Sequence, residues 1–217
     1  MKWMFKGCTN LGNGLSESSA AVSWKFTATS YESCYGMFEG CTSLQKVPAL
    51  QPLSLNARCY AYMFKDCSSL SVMPELKTEY MASACFAGMF EGCTSLQDTD
   101  SLKKLNIKYT ASYCCASMFK GCTSLTQAPV LSATTLSDYC YASMFYGCKA
   151  LEKAPELPAR NLVEGCYSQM FVGCETIDEI SIGFIEWDET EATEYSSSIE
   201  FSSSSSSVTG INQDKYI

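Results

Sequence analysis

Apolar residues along this chain fall into one pattern that keeps returning. The pentad Met-Phe-x-Gly/Asp-Cys begins at Met4, Met37, Met63, Met89, Met118, Met144 and Met170, with successive offsets of 33, 26, 26, 29, 26 and 26 residues. A period in this range marks a stack of similar units, not a closed globule. In the unit MFKGCTSLTQAPVLSATTLSDYCYAS, from Met118 to Ser143, Leu136 and Cys140 lead into Met144 and Cys148 of the next unit at every fourth residue, with Phe145 alongside. This spacing predicts an amphipathic helix crossing the unit boundary, ended near Gly147. Leu125, Pro129 and Leu131 follow in a segment too marked by proline for a helix, and they predict a short strand and a turn.

The proline recurs as Pro48, Pro74, Pro129 and Pro155. Each copy removes a backbone donor from any ladder between units, so the parallel sheet should be narrow. Leu50, Leu76, Leu131 and Leu157 are expected to point inward beside the prolines, and Leu55, Met81, Leu136 and Leu162 to do so at the helix starts. One unit alone buries too little apolar surface to offset the entropy of ordering its backbone, and stacking supplies the rest. Strands stack about 4.8 Å apart and helices about 8–10 Å apart. The expectation is therefore a curved α/β repeat solenoid, with short parallel strands on the concave side and helices on the convex side.

Two units depart from the period. The first carries seven extra residues within Asn10–Ser30, including Trp24 and Phe26, and the fourth carries three within Gln97–Thr110, where LKKLNIKYT replaces the proline. Both insertions are expected to bulge at loops. The chain starts in mid-unit, which favours a fragment or processed product of a longer protein. Residues 1–176 form the solenoid of about seven units, the first truncated. Residues 177–201, where Ile180, Ile182 and Phe184 alternate and Ile199 and Phe201 follow, read as a cap of C-terminal strands. Residues 202–217 read as a serine-rich tail, a flexible tether.

Histidine is absent, and with it the commonest general base and zinc ligand. The net charge of -8 is uneven: residues 1–174 hold 13 acidic and 14 basic side chains, residues 175–217 hold 10 acidic and 1 basic. No basic stripe tracks phosphates, so nucleic acid is a poor partner. No apolar stretch approaches the roughly 20 residues that cross a bilayer, which argues against direct membrane insertion. The acidic residues Glu186, Asp188, Glu189, Glu191 and Glu194 lack the loop spacing of a calcium site. Asp178 and Glu179 have no cleft to make them an acid and base pair.

Thirteen of the 14 cysteines fall at two repeat positions. Cys8, Cys41, Cys67, Cys93, Cys122, Cys148 and Cys174 follow the Met-Phe pair. Cys59, Cys85, Cys114, Cys140 and Cys166 precede it by four residues, Cys34 joins them with one residue deleted, and Cys115 is extra. Partners eight apart on one helix would be roughly 12 Å distant, too far for a disulfide, and equivalent helical positions in adjacent units would also be too far. Disulfides are left open only near the helix end. No C-x-x-C pair supports zinc, and thiols on an apolar face lack the basic neighbour that activates a nucleophile. Buried cysteine acting as a small core residue is the favoured reading.

The unit MFxGCTSLxxxPxL, seen in GMFEGCTSLQKVPAL and SMFKGCTSLTQAPVL, resembles the repeats of BspA-like leucine-rich-repeat proteins over about residues 4–174. That resemblance implies a leucine-rich-repeat solenoid in a surface-exposed or secreted protein that adheres to host proteins or other cells. The expected function is a non-enzymatic recognition scaffold for a protein or glycan, with no catalytic residues, cofactor or metal. The alternative is a structural subunit, a stalk or virion appendage made in the cytoplasm, that stacks through its solenoid ends. The oligomeric state stays open.

Candidate contacts are outward positions that vary between units: Gln45 and Lys46, Ser71 and Val72, Gln97 and Asp98, Thr126 and Gln127, Glu152 and Lys153, with Ala49, Glu75, Val130 and Glu156 just beyond the prolines. Inward and outward positions should answer differently to truncation. Phe119→Ala should destabilise by about 3–5 kcal/mol through a cavity, and Gln127→Ala by less than about 0.5 kcal/mol. Denaturant midpoints that move equally would contradict the facing.

Overall fold

The computed structural model describes residues 2–12, 30–47, 50, 55–76, 80–97, 100–183 and 208–209. Outside them lie Pro48, Ala49, Asp98, most of the first insertion with Trp24 and Phe26, the acidic residues Glu186 to Glu194, and Phe184, Ile199, Phe201 and Ser202 to Ser207.

The units do stack. Phe5, Phe38, Phe64, Phe90, Phe119, Phe145 and Phe171 form one column of nearly parallel rings, with successive centroids 5.3, 5.5, 5.7, 5.7, 5.8 and 5.9 Å apart. Beside them Met37, Met63, Met89, Met118, Met144 and Met170 are fully buried. The seven Met-Phe pairs therefore run in a row, as a solenoid requires.

The expected helix across the unit boundary does not form. In its place the backbone makes a ladder of β-turns. In the fifth unit, the N–H groups of Cys114, Ala116, Met118, Lys120 and Cys122 donate to carbonyls three residues back, at Ala111, Tyr113, Cys115, Ser117 and Phe119. The intervening N–H groups of Tyr113, Cys115, Ser117, Phe119 and Gly121 donate to carbonyls of the next unit, at Asp138, Cys140, Ala142, Met144 and Tyr146, over 2.7–3.0 Å. The same alternation runs from Glu32 to Gly40, Arg58 to Asp66, Ala84 to Gly92 and Tyr139 to Gly147.

Every second turn places its third residue at positive φ: Tyr113 at 58°, Ser117 at 55° and Gly121 at 72° in the fifth unit, with Arg58, Tyr62 and Asp66 or Ala84, Gly88 and Gly92 in earlier ones. That is the demand of a type II turn. A right-handed helix allows no such residue.

Two physical reasons favour the turns. The apolar period is 4.0, and on a helix of 3.6 residues per turn it would drift by about 40° per step, whereas a repeating pair of turns keeps it in line. Helices also keep their backbone bonds to themselves and pack about 8–10 Å apart, while the turn ladder bonds directly to its neighbour. Curvature was expected from unequal spacing of strands and helices; with both sides joined by backbone hydrogen bonds that cause disappears, and the assignment of concave and convex faces loses its basis.

The strand side agrees with expectation and is narrow. Leu50 bridges Leu76, and Leu157 bridges Ile182, both in parallel. β1 (Asn106–Ile107) pairs in parallel with β2 (Val130–Leu131), Asn106 opposite Val130 and Ile107 opposite Leu131. The inward leucines, Ile107 included, are buried, and Pro74, Pro129 and Pro155 are buried beside them. Leu136 is buried too, while Leu55, Met81 and Leu162 pack against the core only half-buried. β3 (Ile180–Ser181) pairs in parallel with β4 (Val208–Thr209), beyond the serine run. The three-residue insertion of the fourth unit carries α1 (Asp100–Lys104), the one α-helix among the described residues.

Helix and turn ladder make opposite predictions for Ser117, which would lie inside the expected helix but stands at φ 55° in the turn ladder. Ser117→Gly should stabilise by up to about 1 kcal/mol by relieving backbone strain, where a helix interior would lose about 0.5 kcal/mol. At Gly121 a Cβ would meet only the Gly92 backbone at 3.8 Å, an ordinary contact, so Gly121→Ala should cost about 1–2 kcal/mol through backbone strain alone. A urea midpoint lowered by Ser117→Gly would restore the helix.

Candidate functional site

The strand side aligns the candidate contacts in rows. The N–H of Ser71 donates to the Gln45 carbonyl, Gln97 to Ser71 and Glu152 to Thr126, over 3.1–3.2 Å. Gln45, Ser71 and Gln97 are thereby neighbours in one row, as are Thr126 and Glu152, with Lys46, Val72, Gln127 and Lys153 in the adjoining row. All of the adjoining row is exposed, with Gln45, Gln97 and Glu152, whereas Ser71 and Thr126 are half-buried. The strand register sets Asn106 opposite Val130, and Glu75 and Glu156 hold the equivalent place in their own repeats; Glu75 is half-buried and the other three are exposed.

This face is chemically mixed. Lys46 and Lys153 stand among Glu75, Glu152 and Glu156, and two valines break its polarity, Val72 at 37% and Val130 at 52% exposure. Apolar side chains rimmed by amides and both signs of charge suit recognition of an uncharged or mixed surface better than capture of a polyanion.

Asn106 was not among the expected contacts, although it occupies the outward position opposite Val130 and accepts from Ser132 Oγ at 2.5 Å through its Oδ1. The insertion displaced the fourth unit's strand to the alternating run Asn106, Ile107, Lys108, which was the available signal. The sequence reading also missed an exposed tyrosine cluster. Tyr80 and Tyr109 stack at 4.9 Å, and Tyr113 and Tyr139 stack at 4.9 Å, where the chain enters the turn ladder. Lys108 Nζ lies 5.4 Å from the Tyr109 ring, and Tyr139 donates its hydroxyl to Glu164 at 2.7 Å. Their recurrence in register was legible once the fourth unit's insertion was placed.

On the turn side the variable residue of Met-Phe-x-Gly-Cys forms a column of alternating charge. Lys6 pairs with Glu39 at 3.0 Å and Lys65 with Glu91 at 3.2 Å, and Lys120 lies 5.0 Å from the Tyr146 ring. Exposed pairs of this kind add at most about 1 kcal/mol each. They line up the units and leave one positive charge over in the column, Lys120 against the Tyr146 ring.

The cysteines are core residues. All 14 are free thiols and 13 are buried, Cys8 alone being exposed. Each thiol after a Met-Phe pair donates to the phenylalanine carbonyl of the preceding unit: Cys41 to Phe5, Cys67 to Phe38, Cys93 to Phe64, Cys122 to Phe90, Cys148 to Phe119 and Cys174 to Phe145, all at 3.1 Å. Each of these carbonyls already accepts a turn N–H, so the thiol satisfies its second lone pair.

Two earlier expectations need correction. The distance argument against disulfides assumed helices, whereas equivalent cysteines lie on directly bonded units; the thiols stay free while bonded to carbonyls. Cys34 also marks no deletion. Ser33 occupies the position of Cys59, and Cys34 that of Tyr60, because Cys34 N–H donates to the Cys59 carbonyl as Tyr60 N–H does to Cys85.

Burial pushes the thiols of Cys41 and Cys59 up to about 11 and those of Cys67, Cys140 and Cys174 up to about 12. These groups are neutral at neutral pH and hidden from reagents, which disfavours nucleophilic chemistry. The folded values lie above the unfolded value of about 8.5. The thiol contribution to stability is therefore complete below that pH and is lost as pH rises towards the folded values. Urea midpoints should hold from pH 6 to 8 and fall steadily above about pH 9. At neutral pH, iodoacetamide should add one label per native chain, at Cys8; rapid labelling of several thiols before unfolding would contradict their burial.

No family model matches the chain, and no curated protein matches it. Among solved structures, a leucine-rich repeat protein from Bacteroides ovatus is similar over 77% of this chain and 56% of its own, at 16% identity and a TM-score of 0.27. The chain spans little more than half of that protein's length, and an overlap this low assigns neither fold nor function. The likeness to BspA-like proteins rests on the repeat motif.

Proposed function

We propose that this chain is a non-enzymatic recognition scaffold, displayed on a cell surface or secreted, that contacts a protein or glycan through the outward rows of its strand side. One observation carries the reading. At fixed register the backbone and the inward residues repeat, while the outward residues change from unit to unit: Lys46, Val72, Gln127 and Lys153 in one row, Glu75, Asn106, Val130 and Glu156 in another. Repeating interiors with changing exteriors let a solenoid carry a specific surface without altering its core.

The buried thiols, raised by burial except at Cys114, where a hydrogen bond with Cys115 lowers it, and the missing histidine support a binding role over catalysis. Nucleic acid does not suit the face, since its lysines are offset by carboxylates.

The test begins with glycan arrays and surface proteins of candidate host or neighbouring cells. Saturable binding should weaken at least tenfold, or by about 1.4 kcal/mol, in the double variant Gln127→Ala, Val130→Asp. The thermal midpoint should change little. Saturable binding that survives changes along both rows, or none to any array, would remove the proposal.

A further inference from the structure

The core barely tells the fourth unit from the fifth. Met89, Phe90, Cys93 and Leu96 of one and Met118, Phe119, Cys122 and Leu125 of the other are the same residues in the same places, all 0% exposed. A third ladder that paired with the fifth, with the fourth looped out, would bury the same set. Wrong pairing of like units is a characteristic failure of repeat proteins, so correct order has to be set outside the core.

The outer residues of the ladders do differ. One outer column runs Trp3, Gly36, Tyr62, Gly88, Ser117, Ser143 and Gln169, and each of the first six donates its N–H to the carbonyl just before the next member. All seven have φ between 54° and 57°. Five are not glycine, so the backbone alone does not impose glycine at positions 36 and 88. The ring on the preceding unit does: a Cβ at Gly88 would run into the Tyr62 ring, and one at Gly36 into the Trp3 ring. Tyr62 cannot turn aside without giving up Tyr35, whose ring centroid lies 5.4 Å away, and Lys65, whose Nζ lies 5.5 Å from the ring.

A second outer column alternates in charge as Lys6, Glu39, Lys65, Glu91 and Lys120. Lys6 meets Glu39 at 3.0 Å and Lys65 meets Glu91 at 3.2 Å. Skipping any one unit would bring like charges together: Lys6 beside Lys65, Glu39 beside Glu91, or Lys65 beside Lys120. Exposed charges weigh little singly, and overpacking against a held ring weighs more.

We infer that Tyr62 and Lys65 select the fourth unit as the neighbour of the third and reject the fifth. In the correct stack Tyr62 lies over Gly88 and Lys65 meets Glu91. With the fourth unit skipped, Ser117 would come under the Tyr62 ring and Lys120 beside Lys65. The sixth and seventh units offer Ser143 and Gln169 at the same place, which fit no better. Selection comes from a misfit built against the wrong neighbour as much as from contacts with the right one. It also preserves the outward strand face, whatever that face binds, since skipping would drop Gln97 from its row and bring Ser71 beside Thr126.

The test uses the full chain. Gly88→Ser, which gives the fourth unit the residue of the fifth, should lower the urea midpoint, and adding Tyr62→Gly should restore most of that loss. Should Gly88→Ser not fold alone, recovery of the fold in the double variant carries the same meaning. Additive losses, or a double variant that also fails to fold, would overturn the inference. Skipping itself is read from the thiols after refolding from urea. The refolded wild type should take one iodoacetamide label, at Cys8. The double variant Tyr62→Gly, Lys65→Glu should show by mass spectrometry a second population labelled also at Cys85 and Cys93, the thiols of the looped-out ladder. No label beyond Cys8, or labels spread evenly over the buried thiols, would overturn it as well.

Discussion

The backbone hydrogen bonds between successive turn ladders are the interaction on which everything else rests. Five N–H groups of a unit such as the fifth leave their own chain segment and pair with the next unit. That exchange fixes unit spacing, and spacing in turn fixes the ring column, the thiols on the phenylalanine carbonyls and the alternating charges. A helical version would have kept those bonds internal and relied on side chains alone to join the units. The core would then be wider and could not stack identical rings face to face.

This arrangement has a conformational cost, borne mostly at positions that face outward or half outward. Glycine meets it at Gly121 and Gly147; Tyr113, Ser117, Tyr139 and Ser143 meet it with side chains in a backbone region that disfavours them. At Gly88 two demands coincide. Its φ is +57°, and a Cβ there would run into the Tyr62 ring of the preceding unit. Trp3 lies over Gly36 and Tyr139 over Gly165 in the same manner. Large rings on one unit thus require glycine on the next, a coupling between residues 26 or more positions apart that no single unit reveals.

The repeat, the stacked Met-Phe pairs, the inward leucines and the core role of the cysteines could be read from sequence, because they depend on burial at a fixed period. Local backbone geometry could not, because Leu136, Cys140, Met144 and Cys148 satisfy a helical stripe and a turn ladder alike. The distinguishing signs were fainter: a period of 4.0 in place of 3.6, glycines four apart at Gly36 and Gly40 or Gly88 and Gly92, and a run of Ser, Tyr, Cys and Gly with weak helical preference. On the candidate face, Lys46, Gln127, Lys153 and Glu156 are exposed where expected, since outward facing follows from the strand pattern. Asn106 and the Tyr80–Tyr109 pair escaped, because the three extra residues of the fourth unit hid their register, whereas Tyr113 and Tyr139 stand one period of 26 apart and were simply overlooked.

Direction in the turn ladder has an electrical consequence. Each bond between ladders points the same way, from an N–H to the carbonyl of the following unit, so the peptide dipoles add along the stack as they do in an α-helix. The last turn ladder, near Cys174, therefore carries partial positive charge and the first, near Met4, partial negative charge. The sequence carries the complementary signs beside both ladders: Glu175, Asp178 and Glu179 follow Cys174, and Lys2 and Lys6 flank Met4. Fixed polarity of this kind means that a face of carbonyls is complementary to a face of N–H groups and not to its like, wherever the stack of units stops.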